Sequence, residues 1–184
     1  MPNYRRPKIA GGTYFVTQVT HQRSPWLCRA DARDALRTAI AQVRRKRPFQ
    51  IEAFVLLPDH FHCVLTLPEG DSDLSTRLRL FKTYVTRHYG AILDLDNTRS
   101  ASRKKRKERN LWQRRFWDHL IRDERDLAQH CDYIHYNPVR HQLCRTPAEW
   151  PFSSVHRFMA QGLYPPNWGE TNLERVVEGC LYDL

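Results

Sequence analysis

No apolar run in the sequence approaches the roughly 18 residues that a membrane-spanning helix needs, so a chain anchored by such helices is excluded. The N-terminal MPNYRRPKIAGG is basic but lacks the apolar centre of a secretory signal, and a cytoplasmic, nucleoid-associated protein is expected. The five cysteines, Cys28, Cys63, Cys131, Cys144 and Cys180, contain no CxxC pair. That pattern argues against a zinc knuckle or a disulfide framework and leaves them as small apolar fillers. No internal repeat is visible. Acidic residues are the scarcer charge: 20 Asp and Glu stand against 30 Lys and Arg, a net +10. Such an excess favours a polyanionic partner. An acidic membrane is the weaker choice, because no long basic amphipathic helix carries bulky apolar anchors.

What is present suffices for one core. With 41% hydrophobic and 11% aromatic residues in 184, the chain reads as one main domain over residues 1–140 and an extension over 141–184 packed on it. Period-two alternation marks strands at Thr13 to Val19, Phe49 to Leu57, His60 to Leu67 and Arg115 to Ile121. Pro58 and Asp59 make a tight hairpin of the second and third. Helical spacing marks Ala30 to Arg47, with Asp31 as N-cap, and Asp73 to Tyr89, with Gly90 as C-cap. A third helix is expected from Glu124 to Tyr136, stopped by Pro138. Between them NTRSASRKKRKERN, Asn97 to Asn110, reads as a solvated, mobile loop. The order β-α-β-β-α-β followed by a helix predicts an α+β, ferredoxin-like antiparallel sheet with helices on one face, an additional helix and an irregular C-terminal tail.

The stretch LLPDHFHCVLTLPEG sets His60 and His62 on one side of a strand, about 7 Å apart. Phe61, Cys63 and Leu65 point the other way into a core, which leaves the histidine face free for chemistry. Two neutral imidazoles suit a divalent cation, but two ligands alone make a weak site. RDLAQHCDYIHYNPV is the source of a third. On a helical wheel Leu127, Cys131 and Ile134 form the buried stripe, and Asp126, His130, Tyr133 and Asn137 form the stripe beside it. Tyr133 and Asn137 are an i,i+4 pair that can reach one point. A tyrosine is a weak nucleophile until its proton is taken or its phenolate stabilised, and the Asn137 carbonyl suits a hard metal. Tyr136 is the rival nucleophile, about 60° round the helix and without such a partner, since Arg140 holds the i+4 position; packing under the C-terminal segment is its other reading.

These residues carry a resemblance. PDHFHCVLTLPEG resembles the His-hydrophobic-His motif of the HUH endonucleases. LWQRRFWDHLIRDERDLAQHCDYIHYNPV, with WPFSS, YRRPKIAGGTYFVT and RPFQIEAFVLLPDH, is similar to the REP-associated tyrosine transposases, relatives of the single-tyrosine transposases of small insertion sequences, over residues 3 to 166. The resemblance implies a ferredoxin-like domain that binds a divalent metal, Mg²⁺ or Mn²⁺, through His60 and His62. It implies Tyr133 as the nucleophile on single-stranded DNA and Asn137 as the residue completing the metal site, where single-tyrosine relatives often have glutamine. The implied products are a 5′-phosphotyrosine adduct and a free 3′-hydroxyl. The implied substrate is a hairpin-forming palindromic DNA element, handled by a monomer with its own tyrosine.

For DNA contact the candidates are the arm Tyr4, Arg5 and Arg6, the track Arg79, Lys82 and Arg87, the run Arg103, Lys104 and Lys105, and Arg115. Trp112 and Trp117 are expected in the core or on the sheet. His130 is a candidate auxiliary group, as is Tyr136, although a partly exposed surface histidine is the blander expectation for His130. His119 is expected to be structural. The competing function is a DNA-binding module whose HUH site is vestigial. A zinc hydrolase is disfavoured by the absence of an acidic general base near HFH and of a third His or Cys at ligand spacing.

Overall fold

The computed structural model describes residues 8–90, 100–106 and 109–170. Tyr4, Arg5, Arg6 and Lys107 lie outside the described residues, as does the 97–99 start of the basic segment. Four strands, β1 (Thr13–Val19), β2 (Gln50–Leu56), β3 (His60–Thr66) and β4 (Trp117–Leu120), form one sheet in the order β2-β3-β1-β4, with every neighbouring pair antiparallel. Helices α1 (Ala30–Lys46) and α2 (Leu74–Tyr89) follow β1 and β3. They pack on the face that presents Tyr14, Val16, Phe61, Cys63 and Leu65. This is the ferredoxin-like arrangement that the element order predicts.

The other face is not free. Helix α4 (Glu124–Arg140) lies across it, packing Cys131, Tyr133 and Ile134 on Phe15, Ala53, Val55 and Val64. His60 and His62 are therefore buried, at 4% exposure each. The alternation places them as expected; the cover comes from an element that a strand pattern cannot reveal.

Three local expectations are corrected. Helix α4 runs through Pro138 to Arg140. The proline removes one backbone bond, but its ring is buried, and the chain closes the helix beyond it with His141 N–H on Asn137 O and Gln142 N–H on Val139 O. The turn ends at Gln142, which has φ 56°. The basic segment is not wholly loop: residues Ala101–Lys105 form a short helix, α3, capped by Ser100. Asp31 is in the first turn of α1 rather than at its cap, which is Arg29. By contrast Asp73 does cap α2, its side chain accepting from Thr76 N–H.

The extension completes the sheet edge. Leu56 N–H donates to Phe152 O, Ser154 N–H donates to Phe54 O, and Trp150 Nε1 donates to Leu56 O. These bonds cover the outer side of β2, which would otherwise expose a row of unpaired amides. A short helix, α5 (Val155–Ala160), follows. Its neighbour Ser154 bonds His135 Nε2 at 2.7 Å, and His135 Nδ1 lies 3.1 Å from Tyr164 Oη, which donates to Asp132 at 2.6 Å. The extension is thus tied to α4 by a polar chain as well as by packing.

Arg77, 2% exposed, holds the start of α2 to the end of α1. It donates to both Asp71 oxygens at 3.1 and 2.8 Å, to Pro48 O and to Asp73 O. Arg77→Ala leaves those acceptors unmatched, and a loss of about 3 kcal/mol is expected, at the low end for a broken buried pair because Asp71 keeps some solvent. Urea unfolding measures it; a loss below about 1 kcal/mol would place the anchor elsewhere.

Candidate active site

The cross-strand register builds the histidine pair. Thr17 of β1 stands opposite His62 and Val19 opposite His60. Thr17 therefore shares the histidine face, and its Oγ1 lies 2.7 Å from His62 Nδ1. With that Nδ1–H donated to Thr17, Nε2 is the basic nitrogen of His62. His60 Nδ1 is 2.6 Å from Asp59 Oδ1. A carboxylate accepts, so His60 carries its proton on Nδ1 and likewise keeps Nε2 basic. The carboxylate of the turn residue Asp59 thus stands beside HFH and orients His60. It is no general base. Burial pushes the Asp59 carboxyl up, but the His60 hydrogen bond and the Arg23 guanidinium at 3.0 Å outweigh that and hold it at about 2.

Helix α4 crosses the pair. The Tyr133 ring centre is 5.2 Å from that of His62, and the His141 ring centre, two turns on, is 5.1 Å from that of His60. Asn137 lies between them on the same stripe, 1% exposed. Neither its Oδ1 nor its Nδ2 has a hydrogen-bond partner among the described residues, and neither does His62 Nε2. Buried polar atoms are rarely left so. Burial, with His60 and His141 next, pushes the His62 pKa well down and keeps the imidazole neutral, the form that ligates. Two imidazole nitrogens and an amide oxygen suit a divalent cation, and His60, His62 and Asn137 are the residues that could hold one here.

A second cluster lies along the same stripe toward the start of α4. His130 is 2% exposed, not at the surface. Its Nδ1 donates to Asp126 O at 2.8 Å, and Asp126 Oδ1 is 3.1 Å away. His119, on β4, reaches Asp126 Oδ2 at 2.9 Å and stacks on His130 at 4.7 Å. Ligand atoms of His119, Asp126 and His130 lie within 4.8 Å of one another, close enough for an ion. The charges argue otherwise. Asp126 Oδ2 also accepts Arg122 N–H and Arg122 Nε–H at 3.0 and 3.1 Å, so a cation here would face a guanidinium. Burial raises the Asp126 carboxyl, yet His119 and Arg122 overcome it and hold it at about 2. We read the cluster as a hydrogen-bonded brace between β4 and α4. Phe15 joins it to the first site, with ring centres 4.8 Å from His130 and 5.4 Å from His62.

Comparison with known proteins settles the family. Residues 9–137 match the model described as transposase, IS200 like. The chain belongs to the IS200-like transposases, among the REP-associated tyrosine transposases. It is 43% identical over 168 residues to the REP-associated tyrosine transposase of Escherichia coli (strain K12), covering 91% of each chain. A Haemophilus influenzae relative of the same designation is 41% identical over 169 residues, 92% of this chain and 94% of that one. Among solved structures, a REP-associated tyrosine transposase bound to a REP hairpin superposes with a TM-score of 0.76 at 42% identity, covering 94% of this chain and 95% of the other. The resemblance read from the histidine and tyrosine motifs is borne out.

The described part of this transposase also carries a basic groove of about 720 Å³ on the far side of the sheet from α4. Arg79, Lys82 and Arg87 of α2 line it with Arg103, Arg106, Arg109 and Arg114. The expected helix track thus becomes one wall of a larger feature. Three of its cations are structural ties: Lys82 Nζ donates to Gln113 O and Arg114 O, Arg103 donates to Arg109 O and Trp112 O and meets His21 Nδ1 at 3.0 Å, and Arg114 donates to Ser102 Oγ at 2.9 Å. Lys104, Lys105 and Arg115 are exposed nearby in sequence. Trp112 is in the core, as expected, and Trp117 packs edge-on to Phe15. Sequence reading missed Thr17, Asp59, Arg140 and His141. The first needs the strand register, and the last two need a helix that passes its proline.

Proposed function

We propose that the protein is a metal-dependent single-stranded DNA endonuclease and strand transferase that acts on hairpin-forming repeats through a 5′-phosphotyrosine intermediate. The observation that carries this is the seating of the Tyr133 ring 5.2 Å from His62 within one chain, beside an Asn137 whose amide atoms have no hydrogen-bond partner among the described residues. Tyr133 is the nucleophile. His60, His62 and Asn137 hold a divalent cation, Mg²⁺ or Mn²⁺, which when bound neutralises charge on the phosphate. Thr17 and Asp59 fix the ring orientations of the two histidines. Because tyrosine and histidines come from the same chain, a monomer suffices. Residues 1–140 supply this chemistry, and the extension from residue 141, through its described part up to residue 170, steadies α4.

The DNA assignment follows the relatives, one of which is bound to a REP hairpin. The basic groove, with Lys104, Lys105, Arg115 and the Tyr4, Arg5 and Arg6 arm, is proposed to hold its phosphates. Replacing Arg79 and Arg87 together by alanine is expected to weaken hairpin binding and to lower the slope of log affinity against log salt by about 2. An unchanged slope would remove the groove from the interface.

A second reading, a repeat-binding module that does not cut, rests on the depth of Tyr133, which is only 5% exposed. One assay separates the two. Wild-type protein, a single-stranded hairpin and Mg²⁺ or Mn²⁺ should give a denaturant-resistant protein–DNA adduct. Tight binding without adduct, with either metal and several hairpins, would establish the second reading.

A further inference from the structure

Because α4 continues through Pro138, its last turn carries Arg140 two turns on from Tyr133, along the same side of the helix. The Arg140 Cζ lies 5.9 Å from the centre of the Tyr133 ring. Arg140 is exposed, while Tyr133 beneath it is buried. The guanidinium therefore stands between the Tyr133 ring and solvent. The motif reading did not assign it a role.

Resting on the strand-transfer reading, we propose that Arg140 is a catalytic residue that grips the non-bridging oxygens of the scissile phosphate while Tyr133 attacks. In that step a bond forms between Tyr133 Oη and phosphorus, and the bond from phosphorus to the 3′ oxygen breaks. The phenolic proton is lost from Tyr133 and the departing 3′ oxygen gains one, so no water is consumed and nothing is oxidised. Negative charge shifts across the phosphate oxygens as the bonds exchange. A planar guanidinium offers paired N–H donors that match two such oxygens. Stacked on the ring face, Arg140 is a side-chain rotation away from the hydroxyl edge where the phosphate must sit. A bland role also exists, since an arginine at a helix C-terminus offsets the helix dipole. That role needs only a positive charge and moves stability rather than rate.

The test uses the full chain, a single-stranded hairpin substrate and Mn²⁺. Adduct formation is timed at saturating DNA for wild type, Arg140→Ala and Arg140→Lys, with hairpin Kd and thermal midpoint measured on each. We expect Arg140→Ala to slow adduct formation by about 10²-fold with Kd and midpoint unchanged, the signature of a contact made as the bonds exchange. Arg140→Lys keeps the charge and loses the fork, so it should recover only part of the rate. Arg140→Ala reacting at the wild-type rate would overturn the proposal. So would a loss of midpoint, Kd and rate together, which would make Arg140 a structural support. Absence of adduct in the wild type would instead sink the strand-transfer reading, and this inference with it.

Discussion

Tyr133→Phe should bring adduct formation below about 10⁻⁴ of the wild-type rate, the scale of loss when a covalent nucleophile is removed, while hairpin binding persists. The phenyl ring keeps every packing contact that the tyrosine makes. Its edge contacts to His62 at 5.2 Å and Phe15 at 5.8 Å are ring contacts, as is the Arg140 stack. Only Oη is lost, so a fall in rate with intact binding reports chemistry. Tyr136→Phe is the matched control. Tyr136 belongs to the same buried cluster, but its ring edge faces Gly169 of the extension, where even a β-carbon would approach to 3.5 Å. It has the packing role that the sequence allowed for it, and its variant should form adduct at close to the wild-type rate. Adduct surviving in Tyr133→Phe and vanishing in Tyr136→Phe would reverse the assignment.

The contrast between these two tyrosines shows what periodicity can read. A 100° step separates faces of a helix, and the Tyr133–Asn137 pair follows from that step alone. The same logic put His60 and His62 on one side of β3 and Phe61 and Cys63 on the other. Periodicity does not say what covers a face. The histidine face looked open because α4, which covers it, is distant in sequence. For the same reason His130 looked like a surface residue, although Phe15 and His119 enclose it. Thr17 was illegible because its partnership with His62 depends on the β1–β3 register, which involves two segments at once. Arg140 and His141 were hidden by a rule that holds for isolated helices, that proline ends them. Here burial of the Pro138 ring and the bonds made by His141 and Gln142 outweigh one missing hydrogen bond. The fold order needed none of these long-range facts, and so it was legible throughout.

His62→Ala should cost more than about 100-fold in Mn²⁺ affinity, beyond the 10- to 100-fold typical of a residue that only orients a ligand. Thr17→Val, which removes the hydroxyl but keeps the shape, belongs in that smaller range. Calorimetric titration of Mn²⁺ into the DNA-free protein measures both without relying on catalysis. The decisive comparison is with His119→Ala/His130→Ala. The two histidine clusters are joined through Phe15, and the brace brings ligand atoms of His119, Asp126 and His130 within 4.8 Å of one another. What sets the brace apart is its carboxylate. Asp126 Oδ2 is already met by His119 and by two N–H groups of Arg122. His62 Nε2 and both amide atoms of Asn137 are buried with no hydrogen-bond partner among the described residues. A cation gains most where it satisfies lone pairs that nothing else satisfies, and least where a guanidinium already stands. The double variant should therefore bind Mn²⁺ as the wild type does. If it loses the ion while His62→Ala keeps it, the metal belongs to the brace and the roles of the two clusters are exchanged.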